Sequence, residues 1–213
     1  MRYKTVADLM TTEVVNVREY TSFKDVVFAL RNGEVSGVPV VDGGGHVVGV
    51  VSESDLLPKE AVRGPYPIEG TFWQRTRLRR KAAAQTARDA MSAPPITIGP
   101  AAPVARAAAL LATRGIKRLP VVDADHKLIG IISRKDIVGV FARTDAEILR
   151  DVQEKVLAHC GSRAPSDIAA TVKDGVVTLT GQVERVALIS VLTTVTVAVP
   201  GVVGVVNRLT AAT

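Results

Sequence analysis

The sequence predicts an α+β protein in which one βαββα unit occurs twice and a smaller unit of a different kind follows. Three observations carry this reading. Val6–Leu57 aligns without a gap against Ala87–Val138 at a constant offset of 81 residues. Within each copy the apolar period changes from strand-like to helix-like and back. From about residue 144 the repeat ceases and a new hairpin signal appears. Units of about 52 residues bury too little surface alone, so the two copies are expected to pack as lobes about a pseudo-twofold axis.

Each element has its own signal. The copies share Asp8 with Asp89, Met10 with Met91, Leu30 with Leu111, Pro39-Val40-Val41-Asp42 with Pro120-Val121-Val122-Asp123, Gly49 with Gly130, Ser52 with Ser133 and Asp55 with Asp136. A short apolar strand opens each unit, Val14 to Val17 and Ile96 to Ile98. A helix follows, with Phe23, Val26, Val27 and Leu30 at helical spacing, matched by Val104, Ala107, Ala108 and Leu111. Thr21 is the expected N-cap of the first helix. Two strands come next, Val38 to Val41 with Val47 to Val51, and Leu119 to Val122 with Leu128 to Ile132, joined through Gly43-Gly44-Gly45 and Ala124-Asp125-His126. Ser52 and Ser133 end the second strand of each pair, placed to cap a following helix. Beyond the repeats, Asp145 to Cys160 reads as a helix, and Ile168 to Gln182 as a hairpin around Asp174-Gly175, because Asp-Gly favours the tight turn of antiparallel strands. Glu184 to Val199 is open between strand, by its Val, Thr and Ile content, and helix, by its length without a turn signal. A last strand covers Val202 to Leu209.

Composition narrows the class. Hydrophobic residues make up 47% of the chain and aromatics 4%, so the core must be Val, Ile, Leu and Ala. No apolar run is long enough to span a bilayer, and a single Cys160 excludes an intrachain disulfide framework; a cytoplasmic protein is expected. The net charge of +6 is concentrated between the repeats, where Pro58 to Arg88 carries eight Lys and Arg residues against Glu60 and Glu69.

The pattern Val38-Pro39-Val40-Val41-Asp42 with Gly49-Val50-Val51-Ser52-x-x-Asp55, repeated as Leu119-Pro120-Val121-Val122-Asp123 with Gly130-Ile131-Ile132-Ser133-x-x-Asp136, resembles the cystathionine-β-synthase (CBS) domain. Two such units resemble a Bateman module. The last third, through Lys173-Asp174-Gly175-Val176-Val177-Thr178-Leu179-Thr180-Gly181 and Val202 to Leu209, resembles a BON domain, which implies an αββαβ order and favours helix for Glu184 to Val199. The expected domains are a first CBS repeat over 1–57, a basic inter-repeat segment over 58–86, a second CBS repeat over 87–143 and a BON domain over 144–213.

The resemblance implies a site for an adenosyl nucleotide (AMP, ADP, ATP or S-adenosylmethionine) acting as a regulatory ligand, with no obligatory cofactor. The Asp of S-x-x-D would accept bonds from both ribose hydroxyls, and the Ser would reach a phosphate. An ionised carboxylate suits a cis-diol because such bonds are charge-assisted. The other reading is that Ser52-x-x-Asp55 and Ser133-x-x-Asp136 merely start helices. The second motif is expected to dominate, since Arg134 and Lys135 lie within it and Lys117 and Arg118 precede Leu119-Pro120, whereas Glu53 would repel phosphate in the first. Backbone beside Pro39 and Pro120, next to Val38 and Leu119, and the apolar strands near Val15 and Ile96 would line the base.

The remaining candidates carry less. Arg75 to Lys81, beside Phe72 and Trp73, could meet nucleic-acid backbone or an anionic membrane. The expectation is the plainer one, a helix with Phe72, Trp73 and Leu78 packed and its charges in water. His46, His126 and His159-Cys160 form no metal-ligand set and no nucleophile–base pair, so neither a metal site nor catalysis is expected. The reading is therefore a regulatory protein, not an enzyme: a homodimer through its CBS modules, with a phospholipid or protein partner for the BON domain. Its rival is a structural or membrane adaptor with vacant CBS sites.

Overall fold

The computed structural model describes residues 4–156 and 168–211, which fall into two compact units, 4–134 and 135–211. The first repeat contains β1 (Val17–Arg18), α1 (Phe23–Asn32), β2 (Gly37–Val41), β3 (Val47–Ser52) and α2 (Glu53–Leu56). Between the repeats lie α3 (Pro58–Ala61) and α4 (Phe72–Ala82). The second repeat has α5 (Ala87–Ala90), α6 (Val104–Thr113), β4 (Arg118–Val122) and β5 (Leu128–Ser133), after which α7 (Arg134–Gly139) begins at the unit's last residue.

Both hairpins have one register and one flaw. β2 and β3 pair antiparallel with a slip between Val40 and Val41, and β4 and β5 pair with the same slip between Val121 and Val122. The opening strands are shorter than expected. Only Val17–Arg18 pairs with β2, and Ile96 to Ile98 shrinks to a single bridge from Ile98 to Val121. Pro94, Pro95 and Pro100 flank that stretch and lack the N–H that a ladder needs. The cap of α1 is Ser22 and not Thr21: the Ser22 hydroxyl accepts from Asp25 N, while Thr21 Oγ1 accepts from Arg18 N.

The repeats interlock by exchange. Thr11 bridges Ile131 and Ser92 bridges Val50, a pair of contacts related by the offset of 81. In the same way Val6 N donates to Ala102 O and Ala87 N to Thr21 O. Each opening segment thus packs on the other repeat. The shared methionines and glycines follow from this. A Cβ at Gly130 would stand 2.6 Å from Met10 Sδ, and one at Gly49 2.9 Å from Met91 Cγ. The hairpin tips also join, through Leu128 N to Gly45 O at 3.1 Å.

The second unit holds α8 (Asp145–Lys155), β6 (Ile168–Lys173), β7 (Val176–Val183), α9 (Val186–Val197) and β8 (Gly204–Ala211). Its sheet runs β6-β7-β8, antiparallel then parallel. A parallel neighbour requires a crossover, which is why the ambiguous Glu184 to Val199 stretch becomes α9 despite its β-branched residues. Asp174 and Gly175 both take positive φ, 52° and 75°, as the tight turn demands. Asp145 carboxylate oxygens accept from Asp174 N and Gly175 N at 2.8 Å each, tying the start of α8 to that turn. Ile148, Val152, Val177, Leu179 and Leu192 form the core. His159 and Cys160 lie outside the described residues.

Candidate functional site

The S-x-x-D arrangement is a helix-start device throughout this chain. Thr5 with Asp8, Ser22 with Asp25, Ser52 with Asp55 and Thr86 with Asp89 each place a hydroxyl 2.7–2.9 Å from a carboxylate three residues on. Four such pairs mean that the local motif by itself marks no site. What separates the third from the others is burial: Asp8, Asp25 and Asp89 are exposed, whereas Asp55 keeps 7% of its surface.

A buried carboxylate needs partners, and Asp55 has four. Its Oδ2 accepts from Ser52 N at 2.8 Å and Ser52 Oγ at 2.7 Å. Its Oδ1 accepts from the Lys81 ammonium in a direct ion pair and from Ser92 Oγ at 3.3 Å. Lys81 Nζ also donates to Ser92 Oγ at 3.1 Å and is itself only 4% exposed. Lys81 comes from α4, so the segment between the repeats closes on the first motif.

Asp55 lines a cavity of about 320 Å³, within the range of small-molecule sites. Ser52 and Ser54 stand on one side; Ile96, Ile116, Lys117 and Arg118 of the second repeat, with Arg77 of α4, complete it. Two larger depressions, near Ala83–Asp89 and along α1 and α3, are more open to solvent. The Arg118 guanidinium donates to Gly37 O and Ser36 Oγ, crossing from one repeat to the other. Gly37 leaves the room: a Cβ there would stand 3.3 Å from Arg118 Nε.

This arrangement widens the expected grouping. Lys117 and Arg118 do adjoin the second motif, since Arg118 pairs with Ser133 and Lys117 O accepts from Arg134 N, but they also line the cavity of the first, and so does Ile96. Val15 is absent from that cavity's lining and lies beside Gly33. Val38, Pro39, Leu119 and Pro120 are buried strand residues that do not line it. Arg134 bonds Ile116 O at 2.9 Å and Leu111 O at 3.5 Å, serving the end of α6. Ser133 closes β5 opposite Arg118, and Asp136 and Lys135 are on α7, in the second unit. The physical reason is the interlock: Lys117, just before β4, and Arg118, its first residue, reach the other repeat's helix start. Lys81, Ser92 and Arg77 were not expected. Only the buried position of one lysine in a helix of exposed arginines marks Lys81, and that requires the fold.

The helix α4 also departs from expectation. Phe72 and Trp73 are 67% and 79% exposed and stack edge to face on each other, while the lysine at the other end is buried. Elsewhere His46 Nδ1 sits 2.9 Å from Asp42 at a hairpin tip. Among the described residues no group of three His, Cys, Asp or Glu side chains is placed to hold a metal ion, and no helix is long and apolar enough to cross a membrane.

Comparison with known proteins agrees with this architecture. The CBS domain family matches residues 6–60 and 87–143, more than half of the chain, and the BON domain family matches 144–213. The chain is 34% identical over 147 residues to the chloroplastic CBS domain-containing protein CBSX2 of Arabidopsis thaliana, covering 63% of this chain and 62% of the plant protein's length. The crystal structure of CBSX2 in complex with AMP superposes with a TM-score of 0.56 at 35% identity, over 63% of this chain and 94% of that one. The CBS pair of MJ0100, solved with 5′-methylthioadenosine and S-adenosyl-L-methionine, shares the fold at 20% identity and a TM-score of 0.54, over 66% and 98% of the two chains. Duplicated hairpins, exchanged opening segments and an αββαβ end therefore have one explanation: the chain belongs to the CBS-domain proteins, as a tandem CBS pair followed by a BON domain.

Proposed function

We propose that the CBS pair is a regulatory module that binds an adenosyl nucleotide in the cavity bounded by Ser52, Asp55, Ile96, Lys117 and Arg118. The observation that carries this is the meeting, in one cavity, of a carboxylate able to accept from a ribose diol with three cations able to face phosphate. CBSX2, 35% identical over the matched region, was crystallised with AMP, which supports the same ligand class here. Ligand energy would act by favouring one arrangement of the module over another, since a ligand that binds both equally shifts nothing. The BON domain supplies the output, through a phospholipid or protein partner. Dimerisation through the CBS modules would cover the groove that Phe23, Val27, Leu56 and Leu57 line together with charged Arg31, Glu34, Lys59 and Glu60; sedimentation of the full chain as a monomer at tens of micromolar would refute it.

Calorimetry with AMP tests the site. Binding should be present in the wild type, fall at least about tenfold in Asp55→Asn, and persist in Asp136→Asn. Loss in the Asp136 variant alone would move the site to the second motif.

A further inference from the structure

We infer that Lys81 is a specificity-determining residue of this cavity: by balancing the Asp55 charge, it makes the site take phosphorylated adenine nucleotides ahead of the uncharged nucleoside and of a cationic sulfonium ligand. The inference rests on the reading of the cavity as an adenosyl site and asks which members of that class it favours.

Three observations carry it. Asp55 and Lys81 are both nearly enclosed and directly paired, so together they present no net charge. Asp55 is the sole carboxylate among the lining residues, against Arg77, Lys117 and Arg118. With Asp55 balanced, Arg77 and Lys117 leave the lining positive. The hydrogen bonds at Asp55 supply the third. Two of its four donors are the hydroxyls of Ser52 and Ser92, which can rotate away and release acceptor positions to a diol. The Ser52 amide and the Lys81 ammonium can stay, so the diol can bind without costing Asp55 its counter-charge.

Remove the lysine and the sign of the argument changes. A buried carboxylate without a partner would then stand at the diol, within a nucleotide's length of the phosphates, in a place poorly screened by water. Anionic ligands would lose, neutral ones would be unaffected by charge, and a sulfonium cation would gain. Lys81 lies outside both repeats, in the segment between them.

Calorimetry on the full chain with adenosine, AMP, ATP and S-adenosylmethionine reads this directly. Wild-type affinity should rise from adenosine to AMP to ATP. Lys81→Met should lower AMP affinity about tenfold relative to adenosine and ATP affinity further, while S-adenosylmethionine gains. Lys81→Arg should restore the wild-type order. Lys81→Gln keeps an amide donor for Asp55, so it serves if Lys81→Met does not fold, and it should reorder the ligands in the same way. An equal loss for all four ligands in the uncharged variants would overturn the inference and make Lys81 a structural residue, with the cavity reading intact. A wild type that binds none of the four would overturn the cavity reading and this inference with it.

Discussion

Ser52-x-x-Asp55 and Ser133-x-x-Asp136 are the same words in two repeats, yet they have different neighbours. At the positions before the Pro-Val-Val-Asp strand, the first repeat has Ser36-Gly37 and the second has Lys117-Arg118. Because the repeats interlock, the large pair reaches the first repeat's helix start, and Gly37 makes room for it. The inter-repeat helix then adds Lys81 and Arg77 to the same side. A duplicated motif therefore does not give two equal surroundings. What a motif can do is decided by residues that lie elsewhere in the sequence.

The largest expected break in the symmetry is in stability. Lys81→Met or Asp55→Ala leaves one buried charge without its partner and should cost about 3–5 kcal/mol in chemical denaturation, while Asp55→Asn with Lys81→Met together should recover most of it. Asp136→Asn, on a half-buried helix start, should cost about 1 kcal/mol. Equal costs at Asp55 and Asp136 would remove the distinction between the repeats.

Where the fold is symmetric, the effects should match. Gly49→Ala and Gly130→Ala each push a new methyl into the opposite repeat's methionine, so each should cost about 1–3 kcal/mol. Combining Gly49→Ala with Met91→Ala should lose less than the sum of the two singles, because the second change opens the space the first one needs. Additive losses would mean that the glycine serves the backbone and not the methionine.

Ligand affinity sharpens the comparison between two arginines of the second repeat. Arg118→Ala should weaken AMP binding about tenfold, since Arg118 lines the cavity. Arg134→Ala removes bonds to Ile116 O and Leu111 O, so it should lower the melting temperature and leave AMP affinity within about twofold. Reversed results would put phosphate at the second motif.

The smallest effect is a pH dependence at an exposed helix start. The Thr86 hydroxyl, with the Gln85 and Thr86 amides, holds the Asp89 carboxyl below its usual value of 3.8. A carboxyl lowered in the folded state adds stability above its unfolded pKa and loses it as pH falls through the folded value. Asp89→Asn should thus be less stable than wild type near pH 7, and the gap should close as the pH drops below about 3.8. A gap that stays constant in acid would show that Asp89 acts by shape alone.

Much of this molecule could be read along the chain. The offset of 81, the Pro-Val-Val-Asp strands and the Asp174-Gly175 turn specify the paired hairpins and the last domain, because they rest on local periods and backbone preferences. Resemblance to the BON domain was needed to turn Glu184 to Val199 into a helix, since composition there points toward strand. The cap at Ser22 instead of Thr21 and the shortened opening strands are differences of a residue or two, set by competing hydroxyls and by prolines.

The site is a different matter. Ser52, Asp55, Ile96, Lys117 and Arg118 are all candidates in the sequence, which groups Lys117 and Arg118 with Ser133 and Asp136; the hairpin does set Arg118 opposite Ser133, but the crossing of the repeats brings both cations to the first motif's cavity as well. It also expected Phe72 and Trp73 inside and the charges of Arg75–Lys81 outside, whereas the aromatics are exposed and Lys81 is buried. Repeats, turns and helix faces follow from neighbours a few residues apart and can be read along the chain. Which cations face which carboxylate depends on how two copies of one unit cross, and on where a segment outside the repeat folds back. Folding sets these pairings, because charge and burial act through space across 26 residues from Asp55 to Lys81 and 82 from Ser36 to Arg118.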